Sequence, residues 1–340
     1  MPAPTSQPIC LDRETPDAFL PSNLTNPYVF LVGSPRSGTT MLKRMVSAHP
    51  LITISRETHW VPHFYERRKG VDADGLVTPA IVDKLFSHHR FSQMKMSAPT
   101  VRDVVTSHPG ITYAGLVTSI FDHYARRRDK PLAGDKTPKY VRKLPTLWEL
   151  WPATRVLHII RDGRSVWLSM RNWRMAHKAA GQFSTWQESP VVTTALWWKA
   201  LVGIGVEDGR RQCSDQYAEI SYEHLVANPE LGCRRIAAFL GLEYNEAMPN
   251  YFRGKTRRKQ EASANAAWLP PTPGLRDWRT DMTADEVQQF EWAAGDLLHA
   301  YDYEISSPEP KSGVRQRLEA IKDRFTEEVL GRGWRLPIGW

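Results

Sequence analysis

Only three of the 340 residues are cysteine: Cys10, Cys213 and Cys233. The number is odd and the spacing is not that of a metal site, which excludes a disulfide framework and a zinc ribbon and makes a reducing, cytoplasmic setting the expectation. Long apolar runs are missing too. The best, Tyr28-Val-Phe-Leu-Val32, falls far short of the about 18 residues that a membrane-spanning helix requires. The segment Met1-Pro-Ala-Pro-Thr-Ser-Gln-Pro8 has neither the basic nor the apolar region of a secretory signal. No internal repeat, metal-binding motif or aromatic RNA-reading segment is found.

What is present is the composition of an ordinary folded chain. Hydrophobic residues make up 41% and charged residues 24%, away from the range in which chains fail to collapse. The length suits one large domain or two small ones. Lys and Arg outnumber Asp and Glu by 45 to 37, so the net charge of +8 makes an anionic partner worth seeking. Thirteen tryptophans read as core packing.

Residues 1–26 hold five prolines and read as an irregular arm. The run Tyr28–Val32, bounded by Pro27 and Gly33, has the pattern of a fully buried strand. Met41, Leu42, Met45 and Val46 recur at helical spacing up to His49-Pro50, where proline stops the helix. Leu51–Ile54 is a second strand, and residues 61–130 are patchily helical. The alternation then repeats, with strands at Arg155–Ile160 and Tyr217–Ser221 and helices at Ser165–Arg174 and Val191–Arg211. Such alternation predicts a central parallel α/β sheet flanked by helices. Asn228-Pro229 starts a helix that Gly241 ends, and Thr283-Ala-Asp-Glu286 forms a capping box. Residues 306–310 read as a linker to an amphipathic stripe of Val314, Leu318, Ile321, Phe325 and Val329. The expected organisation is an arm (1–26), a single domain (27–305), and a linker with a C-terminal helix (306–340).

The first strand runs straight into Gly33-Ser-Pro-Arg-Ser-Gly-Thr-Thr40 and then a helix. Glycines five apart between strand and helix give the skeleton of a P-loop. Successive backbone N–H groups and a helix N-terminus there cradle an anion, supplemented by the hydroxyls of Ser37, Thr39 and Thr40. The lysine that reaches nucleotide β/γ-phosphates is absent after Gly38, while Arg36 offers a planar fork within the loop. A phosphate or sulfate belongs in this loop, and nucleoside triphosphate hydrolysis does not.

The loop Pro35-Arg-Ser-Gly-Thr-Thr40 resembles the 5′-phosphosulfate loop of sulfotransferases that use 3′-phosphoadenosine 5′-phosphosulfate (PAPS). Arg161-Asp-Gly-Arg-Ser-Val-Trp-Leu-Ser169 is similar to their 3′-phosphate segment. Ser55-Arg-Glu-Thr-His59, Asp135-Lys-Thr-Pro138 and Tyr222-Glu-His-Leu-Val-Ala-Asn-Pro229 extend the resemblance, particularly to bacterial members and the tyrosylprotein branch, over roughly residues 28–303. It implies a P-loop-like fold and PAPS as sulfuryl donor without a metal. The implied acceptor is a hydroxyl on a sugar, a lipid, a secondary metabolite or a tyrosine. A helical substrate lid is expected from residues 61–130 and 175–212.

Arg161 also has a case of its own: it follows a buried strand and so emerges at the carboxyl edge of the sheet, where such folds bind ligands. Ser169, eight residues on, lies about two helical turns along and projects toward the same side. Two separated anion sites, Arg36 to Thr40 (including Gly38) and Arg161 with Ser169, suit a ligand with two phosphate groups. The resemblance makes Lys136, with Arg36, a stabiliser of the transferring group. Glu57 follows the second strand to the same edge and, 21 residues after Arg36, occupies the position of the general base in the tyrosylprotein branch. His59, which titrates near neutrality, is the alternative base. Tyr222 matches a tyrosine near the adenine, with a core aromatic as its other reading, and Arg276 is a third candidate for the 3′-phosphate. The basic run Arg253–Lys259 is assigned either to the same donor or to solvent.

Two other function classes compete: a small-molecule P-loop kinase, opposed by the missing lysine, and a non-catalytic nucleotide or nucleic-acid binding module, opposed by the lack of any nucleic-acid-reading motif. The C-terminal stripe is expected to pack back onto the body, with peripheral contact to a membrane surface or a partner subunit as the alternative.

Overall fold

The computed structural model describes residues 25–212, 215–253, 270–274 and 276–340. Almost all of the expected N-terminal arm and most of the basic run 253–259 lie outside the described residues, as do Cys10 and Cys213.

Five strands form one parallel sheet: β1 Val29–Gly33, β2 Ile52–Ser55, β3 Leu132–Lys136, β4 Arg155–Ile160 and β5 Tyr217–Ser221. Their order is β2-β3-β1-β4-β5. Along β1 the side chains alternate between the two faces. Phe30 and Val32 enter one hydrophobic core, while Val29 and Leu31 enter the other. Both faces are covered, which is why the strand reads as an unbroken apolar run. The helix α1 Thr39–Ala48 returns the chain from β1 to the sheet edge at β2. Between β2 and β3 lie α2 Val61–Glu66, α3 Ile81–Ser87, α4 Ala98–Ser107 and α5 Tyr113–Arg126, the helical stretch expected over 61–130. Then come α6 Leu144–Leu150 before β4 and α7 Gly163–Arg171 and α8 Pro190–Gly209 before β5. After β5 the chain forms α9 Tyr222–Ala227, α10 Pro229–Phe239, α11 Trp278–Asp281, α12 Ala284–Ala300 and α13 Ser312–Gly331.

β1 occupies the centre, with the chain passing to one side for β2 and β3 and to the other for β4 and β5. The carboxyl ends of β1 and β4 therefore open the switch-point crevice in which open α/β sheets bind ligands. The strand ends are tightly apposed there: a Cβ on Gly33 would lie 2.5 Å from the Ile159 carbonyl oxygen.

Two features depart from the sequence reading. α7 begins at Gly163 rather than Ser165, because the Asp162 side chain accepts a hydrogen bond from Arg164 N and caps the helix there. Of the stretch 175–212, residues 176–187 form short 3₁₀ turns, whereas α8 is buried on nearly all sides and packs against the sheet, α12 and α13 as a core helix. Its predominantly apolar sequence fits burial better than a half-exposed lid.

The C-terminal stripe is buried within the chain. Leu318, Ile321, Phe325 and Val329 face the core, and the Phe325 ring meets Phe183 at 4.6 Å and Trp340 at 6.1 Å between centroids. Val314, 41% exposed, stays outside it. Arg335 clamps the tail to Glu207 and Asp208 on α8 at 3.0 and 2.6 Å. Among the described residues no helix is long and apolar enough to cross a membrane.

Phe325→Ala is expected to cost about 3–5 kcal/mol, because it opens a cavity where α13 meets Phe183 and Trp340. The shift in the urea midpoint measures it, and a shift worth less than about 1 kcal/mol would mean that α13 is not part of the folded core.

Candidate active site

The turn after β1 is built for close backbone approach. Gly38 has φ +93° and a Cβ there would lie 2.4 Å from the Tyr222 ring, so only glycine fits. Arg36 adopts φ +77°, a left-handed conformation uncommon outside glycine. α1 begins at Thr39 with no side-chain cap and no acidic residue in its first turn, so its N-terminal N–H groups and positive dipole end face the loop.

Around this turn the structure gathers cations. The Arg36 guanidinium donates from Nε to Ser169 Oγ at 2.8 Å and lies 5.1 Å from the centre of the Trp173 ring. Arg161 donates to the Arg36 carbonyl at 3.3 Å and stacks on Tyr222 at 4.2 Å. Burial, together with the charges of Arg276 and Arg161, brings the Arg36 guanidinium down to about 10. Burial and Arg161 lower Arg276 in turn. The two anion sites expected from the sequence thus abut, since β1 and β4 are adjacent strands. The cradle also holds buried donors with no protein partner, Ser37 Oγ and Arg161 Nε. A buried polar group without a partner costs about 1–3 kcal/mol, a cost that a bound phosphate or sulfate removes. The loop therefore fits a polyanion.

Lys136 and Glu57 reach the same sheet edge from the ends of β3 and β2. Lys136 Nζ donates to Glu57 Oε1 at 2.7 Å, and His59 Nε2 lies 3.0 Å from Glu57 Oε2. Burial raises the Glu57 carboxyl, but the hydrogen bond from His59 and the charge and hydrogen bond of Lys136 outweigh it. The net result lies well below the usual carboxylate range. Lys136 is buried, whereas Glu57 and His59 remain about one-third exposed, open to an incoming molecule. His59 itself sits at φ +61°.

Several residues that spacing could not single out support this arrangement. Arg164 pairs with Asp162 and Glu291 at 2.8 and 2.6 Å and stacks 3.6 Å from Trp278, which ties the start of α7 to α12. Glu223 accepts from Asp162 N at 3.0 Å and from Tyr303 at 2.9 Å, bracing the turn that carries Arg161. Gln93 donates to the Glu57 carbonyl at 3.1 Å. Asp135, one residue before Lys136, is fully buried, and burial pushes its carboxyl up to about 6. Asp162 and Arg164 stand two residues apart and Asp135 and Lys136 are adjacent, and a charged residue beside an apolar strand end was the available signal. Tyr222, at the start of α9, forms the floor beneath Arg161 and against Gly38.

Known proteins resemble this chain over most of its length. The model of the sulfotransferase family matches residues 27–246. Protein-tyrosine sulfotransferase A of Caenorhabditis elegans is 24% identical over 320 residues, covering 92% of this chain and 75% of that protein. Nodulation protein NoeE of Sinorhizobium fredii is 24% identical over 341 residues, with 91% and 74% covered. The solved sulfotransferase domain from the Synechococcus PCC 7002 olefin synthase superposes with a TM-score of 0.50 at 22% identity, covering 84% of this chain and 98% of that domain.

Gly38→Ala is expected to weaken binding of adenosine 3′,5′-bisphosphate by about tenfold or more, measured calorimetrically, because the methyl group displaces either Tyr222 or the loop. Unchanged affinity would mean that the turn does not contact the ligand. Because the folded Glu57 carboxyl titrates below its ordinary 4.5, its pairing contributes stability above that pH and loses it as pH falls toward the folded value. The Tm difference between wild type and Glu57→Gln should therefore be largest near neutrality and shrink below 4.5. A pH-independent difference would contradict the pairing.

Proposed function

The chain belongs to the sulfotransferase family, and from that premise we propose that it moves the sulfuryl group of PAPS to the hydroxyl of a sugar, lipid, secondary metabolite or tyrosine. The observation that carries this reading is the contact of Lys136 with Glu57 beside a cluster of three arginines at one sheet edge. The donor supplies an activated sulfuryl group with a phosphate as its leaving group. The 34–40 loop and Arg36 would hold the phosphosulfate end, and Arg161 and Ser169, with Arg276, the 3′-phosphate.

Glu57 accepts the proton of the acceptor hydroxyl as that oxygen bonds to sulfur. Lys136 and Arg36 hold the negative charge that collects on the bridging oxygen as its bond to sulfur breaks. Glu57 is favoured over His59 because it, and not the imidazole, touches Lys136, while His59 Nε2 is directed at the carboxylate and orients it. The depressed carboxylate is a weak base while it holds Lys136. When the ammonium turns to the leaving oxygen, Glu57 gains proton affinity at the step that needs it. The missing lysine after Gly38 removes the kinase reading, and family membership supports the same choice.

Incubation with sulfur-labelled PAPS and a panel of glycan, lipid, phenol and peptidyl-tyrosine acceptors is expected to label one class, whereas labelled ATP labels none. Glu57→Gln should lower kcat by about 10²–10⁴-fold. Arg161→Ala should mainly raise the Kd for the donor, by about tenfold or more for a lost charged hydrogen bond. Phosphoryl transfer from ATP, or wild-type kcat in Glu57→Gln, would contradict the proposal.

A further inference from the structure

Glu57 lies on a segment that has left β2 and has not yet entered α2, so the strands and helices alone do not fix its side chain. Its neighbour His59 sits in the left-handed region, a conformation that costs of order 1–3 kcal/mol unless its surroundings impose it. The surroundings in question are a buried polar network centred on the residue before Lys136.

Asp135 pairs in register with Ser55 at the end of β2 and with Phe30 on β1, and it is wholly buried. Its Oδ2 accepts from Ser55 Oγ at 2.8 Å, its Oδ1 is buried without a hydrogen-bond partner, and the nearby hydroxyls of Thr137 and Thr58 favour its charged form. Thr58 N donates to Thr137 Oγ1 at 3.0 Å, and Thr58 Oγ1 lies 2.7 Å from the Tyr140 hydroxyl. That hydroxyl accepts from Val61 N at 3.2 Å, which extends the network to the start of α2. Residues on both sides of Glu57, Ser55 and Thr58, are thus fastened to the strand end that carries Lys136.

We propose that Asp135 is a positioning residue for sulfuryl transfer: by anchoring Ser55, beside a Thr58 held by Thr137 and Tyr140, it sets the Glu57 carboxylate against Lys136. This rests on the role given to Glu57 above. A buried carboxylate is an expensive anchor, since desolvation disfavours its charge, but an ionised acceptor holds hydroxyl donors about twice as strongly as a neutral one. The strain at His59 and the tight Lys136–Glu57 contact both call for a firm anchor. The groups facing Asp135 are Ser55, Thr58 and His59 from the β2 side, Thr137 and Tyr140 after β3, and Tyr124 of α5.

Asp135→Asn keeps the shape and removes the buried charge, so it is expected to fold with a Tm near that of wild type. Its kcat should fall by about ten- to a hundredfold, because an ångström of misplacement at the base is costly, while the Kd for adenosine 3′,5′-bisphosphate stays within about twofold. Ser55→Ala, a milder cut in the same network, should lower kcat in the same sense by a smaller factor. The deciding measurement is the double variant. If Asp135 acts through Glu57, Asp135→Asn costs nothing further in kcat once Glu57→Gln is in place. Multiplication of the two single effects, or wild-type kcat in both Asp135→Asn and Ser55→Ala, overturns the positioning role. Wild-type kcat in Glu57→Gln overturns instead the base assignment on which it rests.

Discussion

Mutual repulsion among the guanidinium groups of Arg36, Arg161 and Arg276 is the constraint around which this site is built. Arg36 and Arg276 are partly desolvated, and each lowers or is lowered by a like-charged neighbour. A fold gathers cations in this way only where other contacts hold them. Arg161 is stacked on Tyr222 and its turn is braced by Glu223, while the start of α7 is tied to α12 through Arg164 and Glu291. The uncapped N-terminus of α1 adds further positive potential. A ligand with more than one negative group would relieve the repulsion.

The other half of the chemistry is assembled across the sheet. β1 delivers the loop, β2 the Glu57 segment, β3 Lys136 and β4 Arg161, and the parallel order β2-β3-β1-β4 sets them side by side at one edge. In the proposed reading, the cations that would hold the donor and the carboxylate that would meet the acceptor are linked through Lys136, which touches Glu57 directly. One ammonium position would then govern both the charge on the leaving group and the basicity of Glu57. With Glu57 as the base, the acceptor would approach from the side where Glu57 and His59 remain exposed.

Much of this was legible in the sequence, because local rules carry it. Strands buried on both faces read as short apolar runs, and Gly33 and Gly38 mark a turn that no other residue fits. The anion loop, Arg161 and Ser169 were read from strand ends and spacing, whereas the roles expected of Lys136 and Glu57 rested mainly on the family resemblance. What was not legible depends on partners far apart in the chain. Arg36 meets Ser169 across 133 positions and Arg164 meets Glu291 across 127, so the abutment of the two anion sites had no local signature. Asp135 was visible only as a polar residue at a strand end, and its network with Ser55 appears only once β2 and β3 are paired in register. The apolar composition of α8 marked it as buried, but not which layers cover it.

The central claim is that the arginine cluster and the loop read two phosphate groups on one small nucleotide. Titration of the wild-type protein with adenosine 3′,5′-bisphosphate and with 5′-AMP, by calorimetry at fixed ionic strength, tests it most directly. The account predicts that the bisphosphate binds about a hundredfold tighter or more, since the 3′-phosphate gains at least two charge-assisted hydrogen bonds. Equal affinity for the two nucleotides would contradict it.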